Sequence, residues 1–479
     1  RAWALLGQSL TLSSLTALCG TVIGVPLGIL LGKTDLPLRY LFVVLFTLPL
    51  LLPPYLLAVA WSAALGREGW LSDLTGASLA ASSDWLFGLP GCVLVLTTVF
   101  MPVAMLLTIT HLKTVAPRVE EAGRLVARWP RVLSGITLPV IRPGLSSAAL
   151  LIFLLAIGEF SVPMYLRYDV FPVEILTQFS AFYDFGAATA AAVPLALLTV
   201  ALLLVEGRFL SPPRLSVRGF LGETEGSVIR LGAADIGWLF GVGLSCVVLV
   251  IVPLGGLVVQ ASLADYVDAL SRAGDSLFHS LLYAAIGATL LTLLGFFCGY
   301  LIHTHALRAW RWVDFLTLLL LVLPAPVIGM GLISLWNQPA TDWIYGTPMM
   351  ILLGYTAQYL ALTSRTTAAA LAQIPASMDE AAAVTGAGWF RRLLTITAPL
   401  AKPGLLAAWL VSYIFCLRDT GIAMLVYPPG HDTLPVRIFT LMANSPEGLV
   451  AALCVLMTTA TCLPLAPLGL VMNRWSRVP

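Results

Sequence analysis

The sequence predicts an all-α protein that crosses a membrane many times and is built from two parallel repeats. Of its 479 residues, 59% are hydrophobic and only 10% are charged, whereas soluble domains carry roughly 25% charged residues. Long apolar stretches recur along the whole chain, and one 30-residue segment occurs twice, 260 positions apart. The net charge of +2, without a run of Lys or Arg, does not indicate a nucleic-acid partner.

The apolar stretches have the length that a membrane-spanning helix requires. A bilayer core of about 30 Å is crossed by about 20 apolar residues in a helix. The segment 348–364 is short and is interrupted by Gln358. We expect about 11 transmembrane helices, at residues 4–32, 39–66, 91–112, 144–165, 186–206, 235–261, 278–304, 312–336, 348–364, 404–427 and 446–470.

The distribution of Lys and Arg indicates which loops face the cytoplasm. If the segment 113–143 is cytoplasmic and the sides alternate from there, 20 of the 26 Lys and Arg residues lie inside. Positive charge accumulates on the cytoplasmic side of membrane proteins. The outer loops 67–90 and 428–445 instead carry Trp, Tyr, Pro and Gly. We therefore expect the repeated loops and the C-terminus to be cytoplasmic.

The repeat defines the expected domains. Residues 116–145 superpose on 376–405 with 13 identities in 30 positions. The expected division is a first repeat at 1–206, a cytoplasmic linker at 207–234 and a second repeat at 235–479. The second repeat has six predicted spans and the first has five, so we expect a leading helix to be missing from the first. Parallel repeats imply a pseudo-two-fold axis along the membrane normal, with a pathway between the halves.

Each copy of the repeated segment predicts a short helix in a loop. The second copy reads Asp-Glu-Ala-Ala-Ala-Val-Thr-Gly-Ala-Gly-Trp-Phe-Arg-Arg from Asp379 to Arg392. Acidic residues in the first turn suit the helix dipole, and glycine ends a helix readily. An ordinary amphipathic hairpin is the simplest interpretation of one such loop, but two copies favour a function.

The repeated loop resembles the EAA loop of ABC importer permeases, which reads Glu-Ala-Ala, three residues, Gly, nine residues, Ile, any residue and Leu-Pro. In the first copy Glu121 replaces the first Ala and Val126 replaces the Gly. In the second copy Ala398 stands where Leu is usual. The first copy matches through Glu120, Ala122, Ile136, Leu138 and Pro139, and the second through Glu380, Ala381, Ala382, Gly386, Ile396 and Pro399.

The resemblance implies the type I permease fold, a bacterial inner-membrane location and defined partners. Each loop is expected to dock on one of two copies of a cytoplasmic ATPase, and a periplasmic or lipid-anchored solute-binding protein is expected to deliver solute. The chain itself is expected to be neither an enzyme nor a cofactor-binding protein. Gly32-Lys33-Thr34 does not complete a phosphate-binding loop, because Leu27 occupies the position of the first glycine.

Two units in one chain narrow the resemblance to the fused iron(III)-type permeases, which thiamine permeases also resemble. The stretches beginning at Arg418, at Tyr427 and at Thr433 are most similar to the iron(III) branch. Thiamine, polyamine and phosphonate compounds remain alternative solutes. An ion-coupled secondary transporter, which also uses repeats and intramembrane acids, is a rival from another class.

Two acidic residues lie within or beside predicted spans. Glu159 and Asp419, the latter next to Arg418, are 260 positions apart and therefore occupy the same place in the two repeats. An ionisable group in mid-membrane costs about 2.5–3.5 kcal/mol and usually faces a cavity. The pair could line a pathway for a cationic solute. Alternatively, Asp419 pairs with Arg418 or a helix end, and Glu159 with backbone.

Glycines and histidines have simpler interpretations. Gly20, Gly24 and Gly28 recur every four residues, as do Gly237 and Gly241, which predicts close helix packing at both places.

His279 and His431 are isolated in the sequence and are not expected to bind metal. The seven cysteines are scattered singly, without the spacing of a disulfide framework or a metal site.

Overall fold

The computed structural model describes residues 2–66, 85–182, 185–205, 228–232 and 235–464. Within these ranges the regular structure is helical, apart from one β-bridge between Thr34 and Ile229. Most of the predicted linker 207–234, residues 67–84 of the predicted outer loop and the chain after 464 lie outside the described residues. The chain forms two compact units, Arg1–Gln260 and Ala261–Pro479.

The first unit contains long helices joined by short ones. Two of the long helices, α6 and α10, each include one π-helical turn. The helices are α1 (Ala2–Lys33), α2 (Arg39–Leu51), α3 (Pro54–Leu65), α4 (Leu89–Leu112), α5 (Pro117–Val126), α6 (Trp129–Ile157), α7 (Ser161–Tyr165), α8 (Phe171–Ser180), α9 (Phe185–Val205) and α10 (Ile236–Gln260).

The second unit contains a similar series of described helices. Its helices are α11 (Leu263–Thr304), α12 (Trp310–Val322), α13 (Ala325–Trp336), α14 (Asp342–Tyr345), α15 (Met349–Leu371), α16 (Ala376–Val384), α17 (Trp389–Leu417), α18 (Ala423–Val426), α19 (Leu434–Leu441) and α20 (Glu447–Cys462).

Several helices of the two units have matching boundaries. The pair α2 and α3 maps onto α12 and α13 with a shift of 271 residues at every end, and α6 maps onto α17 with a shift of 260. The π-helical turn lies at the same place in both, at Leu133–Thr137 and Leu393–Thr397. The internal repeat is therefore a repeat of structure.

The same three helices form the centre of each unit. In the first unit α1, α4 and α6 pack against one another, and in the second unit α11, α15 and α17 do so. Close approach depends on glycine. A Cβ on Gly24 would lie 2.6 Å from the Met101 carbonyl oxygen, and one on Gly28 would lie 2.6 Å from Thr108 Cβ. The prediction of close packing at the first glycine series is confirmed.

The prediction for Gly237 and Gly241 is wrong for the contacts within the described chain. A Cβ at either position would meet no atom within 4 Å, so neither glycine lies at a close helix contact there. The structure instead has a second close pair, at Gly295 and Gly299 of α11, against Thr363 and Ser364. These two glycines follow Gly24 and Gly28 by 271 residues, and their close packing was not predicted from the sequence.

Two predicted spans are bent pairs of helices. The segment 39–66 turns by 106° between α2 and α3, and the segment 312–336 turns by 111° between α12 and α13. Leu52 and Leu323 are extended at these bends because each precedes a proline, which disfavours helical geometry in the residue before it.

The count of eleven transmembrane helices is not confirmed. Among the described residues, seven helices are long and apolar enough to cross a bilayer, or nine if each bent pair is one span. The predicted segment 348–364 forms α15, which is not one of the seven. Of the last predicted segment, 446–470, the structure describes residues up to 464, which contain the short apolar helix α20.

Helix α10 belongs to the first unit by packing, because its second half lies against α3. The sequence repeat assigns the same residues to the second half of the chain. Packing therefore divides the chain after Gln260, whereas the sequence repeat divides it at residue 235. The boundary at residue 235 stays a prediction.

Candidate functional site

The second repeated loop contains a short helix with a sharp end. Helix α16 stops before Gly386, which adopts a left-handed φ of 82°. The Gly386 N–H donates to the Ala383 carbonyl at 3.0 Å, and the Ala387 N–H donates to the Ala382 carbonyl at 3.2 Å. These two bonds form the Schellman motif that commonly ends helices at glycine. The predicted glycine break is present.

The surface of the second loop combines acidic and apolar groups. Glu380 and Ala381 are exposed, and Ala382 is half-buried. Val384 is 88% exposed and Phe390 is 63% exposed. Such apolar side chains on a short helical loop are suited to a groove on another protein.

The first loop ends differently. Helix α5 continues through Val126, which occupies the position of Gly386, and Ala127 is extended. Glu121 and Ala122 are exposed, while Leu125 and Val126 are 87% and 88% exposed. The loss of the glycine therefore lengthens the helix and places an apolar pair at its tip.

Glu120 is not on the surface of the first loop. It is fully buried, its Oε2 lies 2.5 Å from Lys33 Nζ, and its Oε1 accepts a hydrogen bond from Thr137 Oγ1 at 2.7 Å. Its counterpart Glu380 is exposed. The sequence placed both glutamates in equivalent docking positions, but only Glu380 presents its carboxylate outward. Lys33 was missed as a functional candidate because it lies 87 residues away.

The first loop is also the more basic one. Arg124, Arg128 and Arg131 line an open groove of about 610 Å³ together with Val126 and Pro130. Beside it the Arg124 guanidinium lies 5.1 Å from the centre of the Trp129 ring. An acidic surface would complement this groove.

Asp419 is buried at the start of the short helix α18. Its carboxylate accepts hydrogen bonds from the Tyr359 hydroxyl at 2.7 Å and from the Ala423 N–H at 2.9 Å. The guanidinium of Arg418 lies 4.9 Å from the centre of the Phe415 ring. A helix end is thus one of the partners of Asp419.

Glu159 has a corresponding place in the first unit. It is half-buried, and its carboxylate accepts hydrogen bonds from the N–H of Ser161 at 2.8 Å and from the Ser161 hydroxyl. Ser161 begins α7. Both acids therefore bond the first turn of the short helix that follows a long one.

A polar cluster in the second unit joins residues that are far apart in sequence. The Tyr283 hydroxyl lies 2.7 Å from His431 Nδ1, and the rings of His279 and His431 have centres 5.1 Å apart. Ser276 Oγ donates to Asp432 at 2.9 Å. His279 and His431 are isolated in the sequence, but the fold brings these two residues, about 150 positions apart, close together. Over the described ranges, no three His, Cys, Asp or Glu residues form a possible metal site.

The repeated loops and the long helices correspond to a known kind of transport protein. Residues 291–478 match the family "Binding-protein-dependent transport system inner membrane component". The second unit therefore contains the permease domain of ABC importers. The match contains α16 and the whole of α17, so the second repeated loop lies inside the family's region.

Relatives extend the similarity of this permease to its first half. It is 26% identical over 455 residues to "Putative ferric transport system permease protein FbpB 1" of Haemophilus influenzae, covering 90% of the permease and 71% of the relative. It is 25% identical over 459 residues to "Ferric transport system permease protein FbpB" of Actinobacillus pleuropneumoniae, covering 91% and 66%. The permease thus spans about two thirds of the length of these relatives.

A third relative aligns with less than half of the permease. "Putative 2-aminoethylphosphonate transport system permease protein PhnV" of Salmonella typhimurium is 27% identical over 214 residues, covering 44% of the permease and 80% of the relative. The similarity is therefore to permeases named for more than one solute.

Proposed function

We propose that this permease is the membrane subunit of an ATP-driven importer whose ATPase is a separate protein. Two copies of that ATPase dock on the two repeated loops in the cytoplasm, and a periplasmic or lipid-anchored binding protein delivers solute on the other side. The observation that carries the proposal is the repeated loop itself. Each copy has strongly exposed apolar side chains, Leu125 and Val126 in one and Val384 and Phe390 in the other.

The loops are suited to transmit movement. Helices α6 and α17 begin inside the loops, at Trp129 and Trp389, and continue into the membrane as single helices through a π-helical turn. Each packs against the two other central helices of its own unit. A displacement of either loop by an ATPase would therefore move a packed group of long helices, which suits alternating access.

The proposed solute is iron(III) or its chelate. Support comes from the names of the two relatives that align with both repeats. The phosphonate-named relative aligns with less than half of the chain, which makes a phosphonate the second candidate. We propose the symmetric acids Glu159 and Asp419, with Arg418, as residues of the pathway, since both acids recur at the same place in the repeats.

Docking is tested by co-purification of the ATPase with the permease in mild detergent. The variants Leu125→Asp with Val126→Asp, and Val384→Asp with Phe390→Asp, each place charge on one loop. Each should reduce the recovered ATPase at least tenfold, because a desolvated interface does not accept an unpaired carboxylate. The control is Leu263→Asp, at an equally exposed apolar residue that lies outside both loops.

Two results would contradict the proposal. One is the absence of any associated ATPase with the unsubstituted permease, together with uptake driven by an ion gradient, which is the behaviour of a secondary transporter. The other is equal ATPase recovery with all variants. The solute is tested separately, by comparing the uptake of labelled iron(III) and labelled 2-aminoethylphosphonate in cells with and without the permease.

A further inference from the structure

The first loop is fastened to its unit by a buried ion pair. Lys33, the last residue of α1, is 6% exposed, and Glu120 in α5 is 0% exposed. Thr137, in the π-helical turn of α6, donates to the other oxygen of the same carboxylate. One glutamate thus joins α1, α5 and α6 at a single buried point.

The backbone at the same place joins a further segment. The Ile229 N–H donates to the Lys33 carbonyl at 2.8 Å, and the Asp35 N–H donates to the Ile229 carbonyl at 3.3 Å. The Leu231 N–H donates to the Asp35 carboxylate at 3.0 Å. Residues 228–232 precede α10 in the chain. We name the set Lys33, Asp35, Glu120, Thr137 and Ile229 the Lys33 junction.

The second unit has a different attachment. Thr304 stands 271 residues after Lys33 and carries no charge, and Glu380 is exposed. The second loop instead contacts its first long helix through the Trp389 indole N–H, which donates to the Tyr300 hydroxyl at 2.9 Å in an exposed position. Asp379 and Arg392 form an ion pair within the loop, with the carboxylate half exposed.

These attachments differ in how strongly they resist separation. Moving Glu120 away from Lys33 would separate two buried opposite charges, which is strongly unfavourable. Breaking an exposed hydrogen bond exposes both groups to water and changes the free energy little. The first loop is therefore held much more rigidly on its long helices than the second.

We propose that Lys33 is a positioning residue that makes the first docking loop move as one body with α1 and with the segment entering α10. The proposal rests on the docking function proposed above and assigns the two loops unequal parts in it. An ATPase that displaces α5 moves α1 through the Lys33 junction. Displacement of α16 moves α11 less, because α16 is attached less firmly.

The test compares Lys33→Met, Glu120→Gln and the double variant in the complex with the ATPase. Each single variant leaves one buried charge and should lower the melting temperature of the complex by at least about 5 °C. The double variant leaves none and should recover most of this loss. Its uptake of labelled iron(III) per ATP hydrolysed should still fall roughly fivefold or more, because the connection from α5 to α1 is gone.

Hydrogen exchange gives a second readout. In the double variant, the amide hydrogens of residues 117–126 should exchange faster than in the unsubstituted complex, even if the two complexes have the same melting temperature. The matched control is Asp379→Asn, which breaks the ion pair of the second loop and should change the melting temperature by less than about 2 °C, because a pair whose carboxylate is half exposed contributes little.

The proposal is overturned if the double variant regains both thermal stability and the normal ratio of uptake to ATP hydrolysis, since the ion pair would then be structural only. That outcome leaves the docking function intact. Failure of the docking function itself would be seen in the unsubstituted permease, as the absence of any ATPase complex.

Discussion

At the scale of single residues, the end of α16 depends on one backbone conformation. Gly386 has a φ of 82°, and a Cβ there would meet no atom within 4 Å. Gly386→Ala should therefore destabilise this helix end by about 1–2 kcal/mol through backbone strain alone. Binding of the ATPase to the second loop should weaken by roughly fivefold or more.

Gly388→Ala is the matched control for this prediction. Gly388 has equally open surroundings but an ordinary φ of −63°. The two variants are compared by ATPase titration and by hydrogen exchange of residues 376–384. Equal effects of the two substitutions would show that the left-handed conformation has no part in docking.

The acids Glu159 and Asp419 give a second prediction at this scale. Glu159→Gln with Asp419→Asn keeps oxygen acceptors for Ser161 and Ala423 but removes both charges. If the acids line a pathway for a cation, uptake should fall at least about tenfold while ATPase recovery stays normal. Tyr359→Phe is the control, because it removes a hydrogen bond to Asp419 and keeps the charge. Unchanged uptake in the double variant would remove both acids from the mechanism.

At the scale of helices, the contact of α1 with α4 depends on Gly28. A Cβ there would lie 2.7 Å from the Met105 carbonyl oxygen and 2.6 Å from Thr108 Cβ, so the two helices would have to separate. Gly28→Ala should destabilise the first unit by about 1–3 kcal/mol. Gly241→Ala, in open space on α10, should be neutral or stabilising by up to about 1 kcal/mol, because alanine favours helix. Thermal unfolding in detergent measures both, and an equal loss of stability would contradict the packing.

The sequence predicted the positions of the apolar helices better than it predicted where they bend. Helices α1, α4 and α11 coincide with predicted spans to within a few residues, apart from the longer start of α11. Hydropathy averages over a window and contains no direction, so it could not predict the bends after Leu52 and Leu323. The prolines at both bends, 271 residues apart, were the available signal.

At the scale of the whole molecule, the short helix of each repeated loop could be predicted because its signal is local and occurs twice. The glycine end at Gly386 followed from a single residue in the loop, whereas the longer helix through Val126 was not predicted. The burial of Glu120 was not predicted either, because its partner Lys33 belongs to another helix and resembles an ordinary charge at a membrane boundary. The contact of His279 with His431 escaped prediction for the same reason. Contacts between distant segments are a property of the fold.

The sidedness of the permease is the last prediction. The distribution of Lys and Arg places both repeated loops in the cytoplasm and the start of α11 outside. Two single substitutions test this, Val384→Cys in the second loop and Leu263→Cys at the start of α11, since these side chains are 88% and 86% exposed. A membrane-impermeant maleimide should label Leu263→Cys in intact spheroplasts and Val384→Cys only after permeabilisation. The unsubstituted chain is the control, because its seven cysteines are buried or half-buried. Labelling of Val384→Cys in intact spheroplasts would place the loop outside, where no ATPase can dock. That result would contradict the proposed importer function.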